Sequence, residues 1–362
     1  MRRKLLIWNN VPTHHLSAFF GALRERDFDL QVHYFDHLCE RRTRLGWRAP
    51  AVLPPGERYV EPAVRSLRYC PDWQERTHII TGYRPTFLLR LATLLSMRGV
   101  RWLHWSEPSR PRLEAVVKYP IKRLYGMLVD RYALGALAIG ECARRDFRRW
   151  GIRDEKIRFL PYSVPAIPPA QGDMTPPSTG IRFLYLGEQH PRKGIDVLLK
   201  AFQGVLQFDA TARLDIVGSD RTHGRYARLA QRLGISHAVR FAPSVEASRI
   251  SSVLLACDVV VLPSRFDGWG VVLNEAASAG KALVSTEGCG AAHHLIEPGV
   301  NGFRVPACDS EALANAMLEY CRDRGLAARH GAASRGIFDR FTPERNAIRL
   351  GEALDALEKY RT

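Results

Sequence analysis

One strand-to-helix junction gathers the residue types that could do chemistry in this chain: Pro263-Ser264-Arg265-Phe266-Asp267-Gly268-Trp269-Gly270-Val271-Val272-Leu273-Asn274-Glu275-Ala276-Ala277. The run from Asp258 to Leu262 reads as a buried strand feeding a glycine-bearing loop, and the loop opens a helix. Asp267 and Glu275 stand either side of the junction with seven residues between them. A helix start leaves backbone N–H groups unpaired and carries partial positive charge, so a diphosphate can rest on it. Gly268 and Gly270 let the backbone approach a ligand closely. The two carboxylates can accept hydrogen bonds from sugar or ribose hydroxyls. The plain alternative is a strand, a turn and a helix, with Asp267 near the N-cap and Glu275 on a solvated face.

A second stretch, Leu184-Tyr185-Leu186-Gly187-Glu188-Gln189-His190-Pro191-Arg192-Lys193-Gly194-Ile195-Asp196, has the same plan. A strand ends at Gly187, and a loop carrying Arg192 and Lys193 enters a helix at Gly194. Adjacent cations suit a diphosphate leaving group. Surface cations at a helix start are the alternative, but that end of the dipole disfavours them.

Gly187…Arg192-Lys193-Gly194-Ile195-Asp196-Val197-Leu198-Leu199, Ile216-Val217-Gly218, the Pro263–Ala276 stretch, Gly280 and Asn301-Gly302-Phe303 occur in an order and spacing that resembles the retaining glycosyltransferases of family 4, the group 1 glycosyltransferases. The resemblance covers the C-terminal half and is loose in the N-terminal half. It implies an α/β chain of the GT-B fold, with two Rossmann-like doubly wound domains facing across a cleft. The implied domains are 1–166 for the acceptor, a linker over 167–180, and 181–339 for the nucleotide-sugar donor. A C-terminal helix over about 340–362 is expected to pack back on the first domain. The resemblance places the leaving diphosphate on Lys193, Arg192 and the N–H groups of Val271 and Val272. It places the ribose on Glu275 and the donor sugar on Asp267, with Gly187, Gly268, Trp269 and Gly270 completing the donor site. Asp267 stands where the family usually has Glu, one methylene longer. Glu188 stands where many members have Arg, and Arg192 is expected to supply that cation. The nucleobase is expected near Val239 to Pro243. No metal and no other cofactor is implied, and no Asp-x-Asp motif is expected to hold one.

In the N-terminal half, Val11-Pro12-Thr13-His14-His15-Leu16-Ser17-Ala18-Phe19-Phe20 resembles the family's Pro-x-x-His-x-x-x-x-Phe segment, which puts His15 at the matching position as a catalytic candidate. A helix cap or a packing role for either histidine remains the alternative. His104-Trp105-Ser106-Glu107-Pro108 resembles a His-Glu-Pro segment, with Ser106 where a histidine is often found. His104 and Glu107 are candidates there, or strand-end polar residues. The implied reaction is retaining transfer, with charge developing on the departing diphosphate and on an oxocarbenium-like sugar.

The elements that must position these residues read as two α/β halves. In the second half, strands are predicted at Arg182 to Leu186, Arg213 to Val217, Val239 to Phe241, Asp258 to Leu262 and Ala282 to Ser285. Helices are predicted at Gly194 to Phe208, Arg225 to Leu233, Ala247 to Ala256 and Val272 to Ala279. Continuous apolar strands between helices imply a parallel sheet covered on both faces. The first half predicts strands at Lys4 to Trp8, Leu30 to Tyr34, His78 to Thr81, Trp102 to Trp105 and Leu137 to Ile139. Its helices are expected at Leu16 to Arg26, Pro85 to Arg98 and Leu113 to Tyr132. Pro165 to Gly180, rich in proline and small polar residues, reads as the linker.

Charge is uneven: 30 Lys and Arg against 16 Asp and Glu up to Ala166, then 23 against 21 from Ile167 onward. The basic half suits an anionic leaflet, a phosphorylated acceptor or nucleic acid, or it reflects an arginine-rich composition. No nucleic-acid recognition motif accompanies it, so nucleic acid is not expected. The Arg-rich run Cys142 to Trp150, with Phe147 and Trp150 between its arginines, is expected either to lie on the inner membrane or to be a solvated face. Seven scattered cysteines without C-x-x-C pairing argue against disulfides and structural zinc, and a reducing cytoplasm fits. The first apolar stretch is too short for a signal peptide. The expected partners are a nucleotide-sugar donor, a glycan or lipid-linked acceptor, and an anionic membrane surface. Rival readings are a non-catalytic GT-B homologue, a nucleotide-sugar epimerase and a nucleic-acid-binding protein.

Overall fold

Strands that are apolar on both faces need helices on both sides of their sheet, and the computed structural model has two such sheets. It describes residues 2–36, 52–82, 85–109, 119–168 and 180–360. The chain divides into two compact units. The first takes the described residues up to Ser163 together with Pro343 onward, and the second runs from Val164 to Thr342.

Among the described residues the first unit holds seven parallel strands: β1 (Arg3–Asn9), β2 (Phe28–Tyr34), β3 (Glu57–Tyr59), β4 (Thr77–Thr81), β5 (Trp102–Ser106), β6 (Gly135–Ala138) and β7 (Ile157–Phe159), in spatial order β3-β2-β1-β4-β5-β6-β7. Helices α1 (His14–Arg24), α2 (Pro85–Met97), α3 (Tyr119–Tyr132) and α4 (Glu141–Arg149) connect them. The N-terminal part of the predicted Leu113–Tyr132 helix, 113–118, lies outside the described residues. The two edge strands β3 and β7 were not predicted. Each has three residues, of which one is buried, so neither shows an apolar run.

The second unit holds six parallel strands: β8 (Arg182–Leu186), β9 (Arg213–Val217), β10 (Val239–Ala242), β11 (Val259–Leu262), β12 (Ala282–Thr286) and β13 (Gly302–Val305), in order β10-β9-β8-β11-β12-β13. Its helices are α5 (Ile195–Phe208), α6 (Arg225–Arg232), α7 (Ile250–Leu255), α8 (Val272–Ser278), α9 (Ala292–Leu295), α10 (Ser310–Arg322) and α11 (Leu326–Phe338). The helix predicted over Ala247 to Ala256 is a 3-10 turn, Ala247–Arg249, followed by the shorter α7. Helix α5 buries Ile195, Leu198, Leu199, Phe202 and Val205. Such side chains stabilise by roughly 1.5–3 kcal/mol each. The periodic spacing predicted that stripe, and Leu206 at its edge is half-buried.

Helix α12 (Pro343–Glu358) belongs to the first unit, where it packs on α1. Its Asn346 donates to the Pro161 carbonyl at 2.6 Å, and Leu350, Leu354 and Leu357 are buried. Val164, Pro165 and Ala166, placed by the sequence in the first domain, group with the second unit. Ser278 explains this: its hydroxyl accepts from the Ile167 N–H at 2.6 Å and donates to the Pro165 carbonyl at 3.4 Å. The rest of the proline-rich linker, 169–179, lies outside the described residues.

In both sheets the chain winds outward one way and then returns to wind the other way. The reversals fall between β1 and β4 and between β8 and β11. Loops at the carboxyl ends of strands flanking such a reversal are where doubly wound sheets bind ligands.

Candidate functional site

The two motif loops leave β8 and β11, the strands that flank the reversal in the second sheet. Gly187 closes β8, and its N–H reaches the Val217 carbonyl at 2.9 Å. Pro191–Lys193 then form one 3-10 turn, capped by His190, whose Nδ1 accepts from the Arg192 N–H at 3.1 Å. Gly194 turns left-handed, φ 69°, and a Cβ there would stand 2.0 Å from the Pro263 carbonyl oxygen. Only glycine meets both demands, the dihedral and the contact with the other loop.

The loops also lock together through polar contacts. The Arg192 carbonyl accepts from the N–H groups of Arg265 at 2.8 Å and Phe266 at 3.3 Å. The Arg192 guanidinium donates to the Phe266 carbonyl at 3.2 Å. Arg265 forks onto Asp196 with bonds of 2.8 and 2.7 Å and reaches the Pro191 carbonyl at 2.8 Å. Planar two-point pairs of this kind fix direction as well as distance.

This frame sets Asp267 against the two cations. Its carboxylate pairs closely with the Lys193 ammonium and lies 3.6 Å from the Arg192 guanidinium. Its backbone is held by a third loop: its N–H reaches the Gly288 carbonyl at 2.8 Å and its carbonyl accepts from the Gly290 N–H at 3.1 Å. Burial pulls the Asp267 carboxyl upward, but Lys193 and Arg192 overcome that and hold it below its ordinary value. An ammonium has three donors, so Lys193 can hold Asp267 and still donate to a phosphate oxygen.

Gly270, φ 93°, sits over the same spot; a Cβ there would meet the Cys289 sulfur at 2.5 Å and Leu262 at 3.0 Å. Burial pushes the Cys289 thiol up to about 12, so it fills space as a neutral group. Helix α8 follows immediately. No side chain caps it, so Asp267 is not its N-cap. Among the described residues the N–H groups of Val271 and Val272 meet no backbone acceptor. Glu275 lies in the first turn and is buried, not on a solvated face.

The structure therefore brings Arg192, Lys193, Asp267 and Gly270 together, with Val271, Val272 and Glu275 next in the chain and Gly187 at the end of the neighbouring strand. Gly268 is buried in the same loop. Trp269, predicted as a donor contact, turns its side chain to the interior, so a donor would meet its backbone. The ring is fully buried, donates to Asn274 at 2.7 Å and stacks on His294 at 5.6 Å. Glu188 pairs with Arg221 at 3.2 Å. The predicted base-binding region begins as β10 and ends past it at Pro243.

The first unit's candidates differ. His15 is buried at the start of α1, 3.3 Å from the Thr13 hydroxyl and edge-on to Tyr162. The His14 side chain lies outside the described residues. His104 is fully buried between Tyr125, Phe147 and Trp150, with its ring nitrogens 2.9 Å from Ser106 and 3.2 Å from Tyr125. Burial pushes its pKa down to about 3, which keeps the imidazole neutral. Glu107 is half-buried.

The Arg-rich helix α4 also corrects. Phe147 and Trp150 face the interior, and Arg144 and Arg148 both hold Asp154. One Asp-x-Asp triplet does occur, Asp27-Phe28-Asp29, but it sits where β2 begins, and Asp29 binds Arg76 at 2.8 Å. Among the described residues no group of three or more His, Cys, Asp and Glu is arranged to hold a metal ion. Sequence reasoning missed His190, the Arg265–Asp196 clamp and the Gly288–Gly290 loop. Its usable signal for the last was a pair of glycines directly after a buried strand.

Residues 171–336 match the family described as Glycosyl transferases group 1. That match covers less than half of the chain and likens this part of the second unit to the group 1 glycosyl transferases. The chain is similar to the D-inositol 3-phosphate glycosyltransferase of Streptomyces griseus subsp. griseus, 33% identical over 160 residues, which cover 42% of this chain and 34% of the relative. It is also similar to the phosphatidyl-myo-inositol mannosyltransferase of Mycobacterium leprae, 33% identical over 168 residues, 46% of this chain and 44% of the relative. The matched stretch thus spans less than half the length of either relative. The crystal structure of Anabaena HepE in complex with UDP superposes with a TM-score of 0.74 at 19% identity, covering 98% of this chain and 100% of that one. That likeness shows the fold, which is GT-B.

Proposed function

We propose that the protein is a retaining glycosyltransferase. It takes a sugar from a UDP- or GDP-linked donor and passes it to a glycan or lipid-linked acceptor in cell-surface polysaccharide or lipopolysaccharide synthesis, at the cytoplasmic face of the membrane. The observation that carries this reading is the Lys193–Asp267–Arg192 cluster at the winding reversal of the second sheet, on loops that fix one another. Lys193, Arg192 and the N–H groups of Val271 and Val272 would hold the diphosphate. Charge grows there as the bond to the sugar breaks, so fixed cations stabilise the transition state more than the ground state. Glu275 would accept from the ribose hydroxyls, and Asp267 would face the donor sugar. His15, buried at the start of α1, is kept as a catalytic candidate on the resemblance. No protein nucleophile is needed if the acceptor attacks from the face the diphosphate leaves. The relatives named for inositol phosphate and mannosyl transfer, and the neighbour that holds UDP, support the class of donor.

A second reading is a non-catalytic GT-B protein that binds nucleotide or glycan. It is favoured by one observation: Asp267, shorter than the family's usual Glu, is engaged by Lys193. Purified protein incubated with a panel of UDP- and GDP-sugars separates the readings. Release of the nucleotide, with the anomeric configuration of the product retained by NMR, supports the transferase. Tight nucleotide binding without turnover supports the second reading. DNA binding without nucleotide-sugar affinity overturns both.

A further inference from the structure

Helix α3 is about 21 Å long by its 14 residues, and its inner side is settled by Gly126 and Val129, both buried. Its outer side is unusual for a soluble surface. Ile121, Leu124, Met127 and Tyr132 are exposed to 57%, 62%, 56% and 56%. At 100° per residue, Leu124 and Met127 fall on the same outer arc as Arg123 and Arg131, which are also exposed. The helix has one acidic residue, Asp130, and it is taken by Arg153 at 3.1 Å.

Helix α2 packs beside α3 and repeats the pattern. It exposes Leu89 and Met97, the latter to 80%, together with Arg90, and Arg98 follows its end. Between Pro85 and Gly99 there is no Asp or Glu at all. Singly exposed apolar side chains are ordinary, but two adjacent helices that mix aliphatic side chains with arginines and leave no free carboxylate are not. A protein partner with an apolar patch would not select for cations alone. An anionic bilayer would, since it takes aliphatic side chains into the acyl boundary and arginines among the headgroups.

We infer that the outer faces of α2 and α3 dock the first unit on an anionic lipid leaflet. The inference rests on the proposed function in one respect only: a lipid-linked acceptor requires the enzyme to work at a bilayer. It also moves the membrane contact from α4, whose aromatic residues are interior, to α3.

The test is co-sedimentation of the full chain with vesicles of phosphatidylcholine mixed with phosphatidylglycerol, against vesicles of phosphatidylcholine alone. The wild type binds the anionic vesicles at low salt and is released at high salt. Leu124→Asp/Met127→Asp lowers binding by at least about tenfold, and Arg123→Gln/Arg131→Gln by roughly tenfold with a weaker salt dependence. All four positions are exposed, so thermal midpoint and circular dichroism stay as in wild type. Wild-type protein left in the supernatant, or a double-Asp variant that binds like wild type, overturns the inference. So does a dimer seen by sedimentation velocity that the same variant dissociates while no vesicle is bound, which would assign the face to a second copy. Nucleotide-sugar turnover in vesicle-free solution is unchanged in the variant. A wild type that binds vesicles yet never turns over a donor refutes the proposed activity and leaves the docking face standing.

Discussion

At the carboxyl edge of the second sheet, Lys193, Arg192 and Asp267 carry full charges in close contact, on loops that need glycine to approach one another. At the same edge of the first sheet the buried polar side chains Asn9, Thr81 and Ser106 are neutral. The Thr81 hydroxyl donates to Asn9 at 2.8 Å, Asn9 donates to the Val11 carbonyl at 2.9 Å, and Ser106 meets His104 at 2.9 Å. Two sheets with the same winding are thus finished differently. The second concentrates charge where a phosphate would develop it. The first buries three neutral histidines, His33, His78 and His104. Charge placed in a dry, fixed frame acts at the reacting bond, whereas a buried neutral histidine tunes packing and makes the unit acid-sensitive.

The largest effect should come from the charged edge. Lys193→Ala should lower kcat by ~10³-fold, the scale found when a preorganised charge-stabilising donor is removed. It also leaves Asp267 short of a partner, which destabilises the unit. Lys193→Ala/Asp267→Asn should therefore recover the thermal midpoint but not the rate. Recovery of both would show that the lysine serves only the fold.

The neutral edge is broken by acid. Burial pushes the pKa of His33 and His78 down to about 4 and that of His104 down to about 3. Below the unfolded value of ~6.5 the unfolded chain takes up protons that the native unit refuses, so stability falls as pH drops from there toward 4. At pH 5 the loss is roughly 2 kcal/mol per histidine. Asp267 has the opposite timing. Its folded pKa is depressed, so its contribution persists until pH falls below the ordinary carboxylate range. Hydrogen exchange followed from pH 7 to pH 5 should lose protection first in the strands of the first unit. In the second unit His330 is pushed down in this way. Loss of protection in the second unit first would reverse the comparison.

Smaller effects separate binding from rate within the charged edge. Glu275→Gln should raise the donor KM about tenfold, with kcat changed far less than by Lys193→Ala, because a ribose contact is made equally before and during transfer. Asp267→Glu restores the longer side chain and should shift relative kcat/KM among sugars on one nucleotide by a few-fold. A change of nucleotide preference instead would move Asp267 away from the sugar.

The same contrast explains what could be read from the sequence. In the second half, glycines and ionic residues stand at fixed distances from apolar strands, so the strand-end loops, the α5 stripe and the cluster of Arg192, Lys193 and Asp267 were legible. The Arg265–Asp196 clamp was not, because its members lie far apart in the chain and each alone resembles a solvated surface residue. The Gly288 and Gly290 contacts were not, because they act through backbone groups that every residue has. In the first half, Phe147 and Trp150 share a helix face at a spacing of three. Spacing assigns residues to a face but does not say whether the fold covers it, and here it does. The exposed face of α3 was missed for the same reason in reverse: an apolar stripe reads as core until the packing is seen.

If the charged edge is a donor site, Lys193 holds a nucleotide diphosphate. Calorimetric titration of UDP and GDP into the wild type and into Lys193→Ala tests it directly. The wild type should bind one of the two, and Lys193→Ala should bind it at least about tenfold more weakly, as the loss of a charge-assisted phosphate contact requires. Equal affinity in the two proteins, or no affinity of the wild type for either diphosphate, would contradict it.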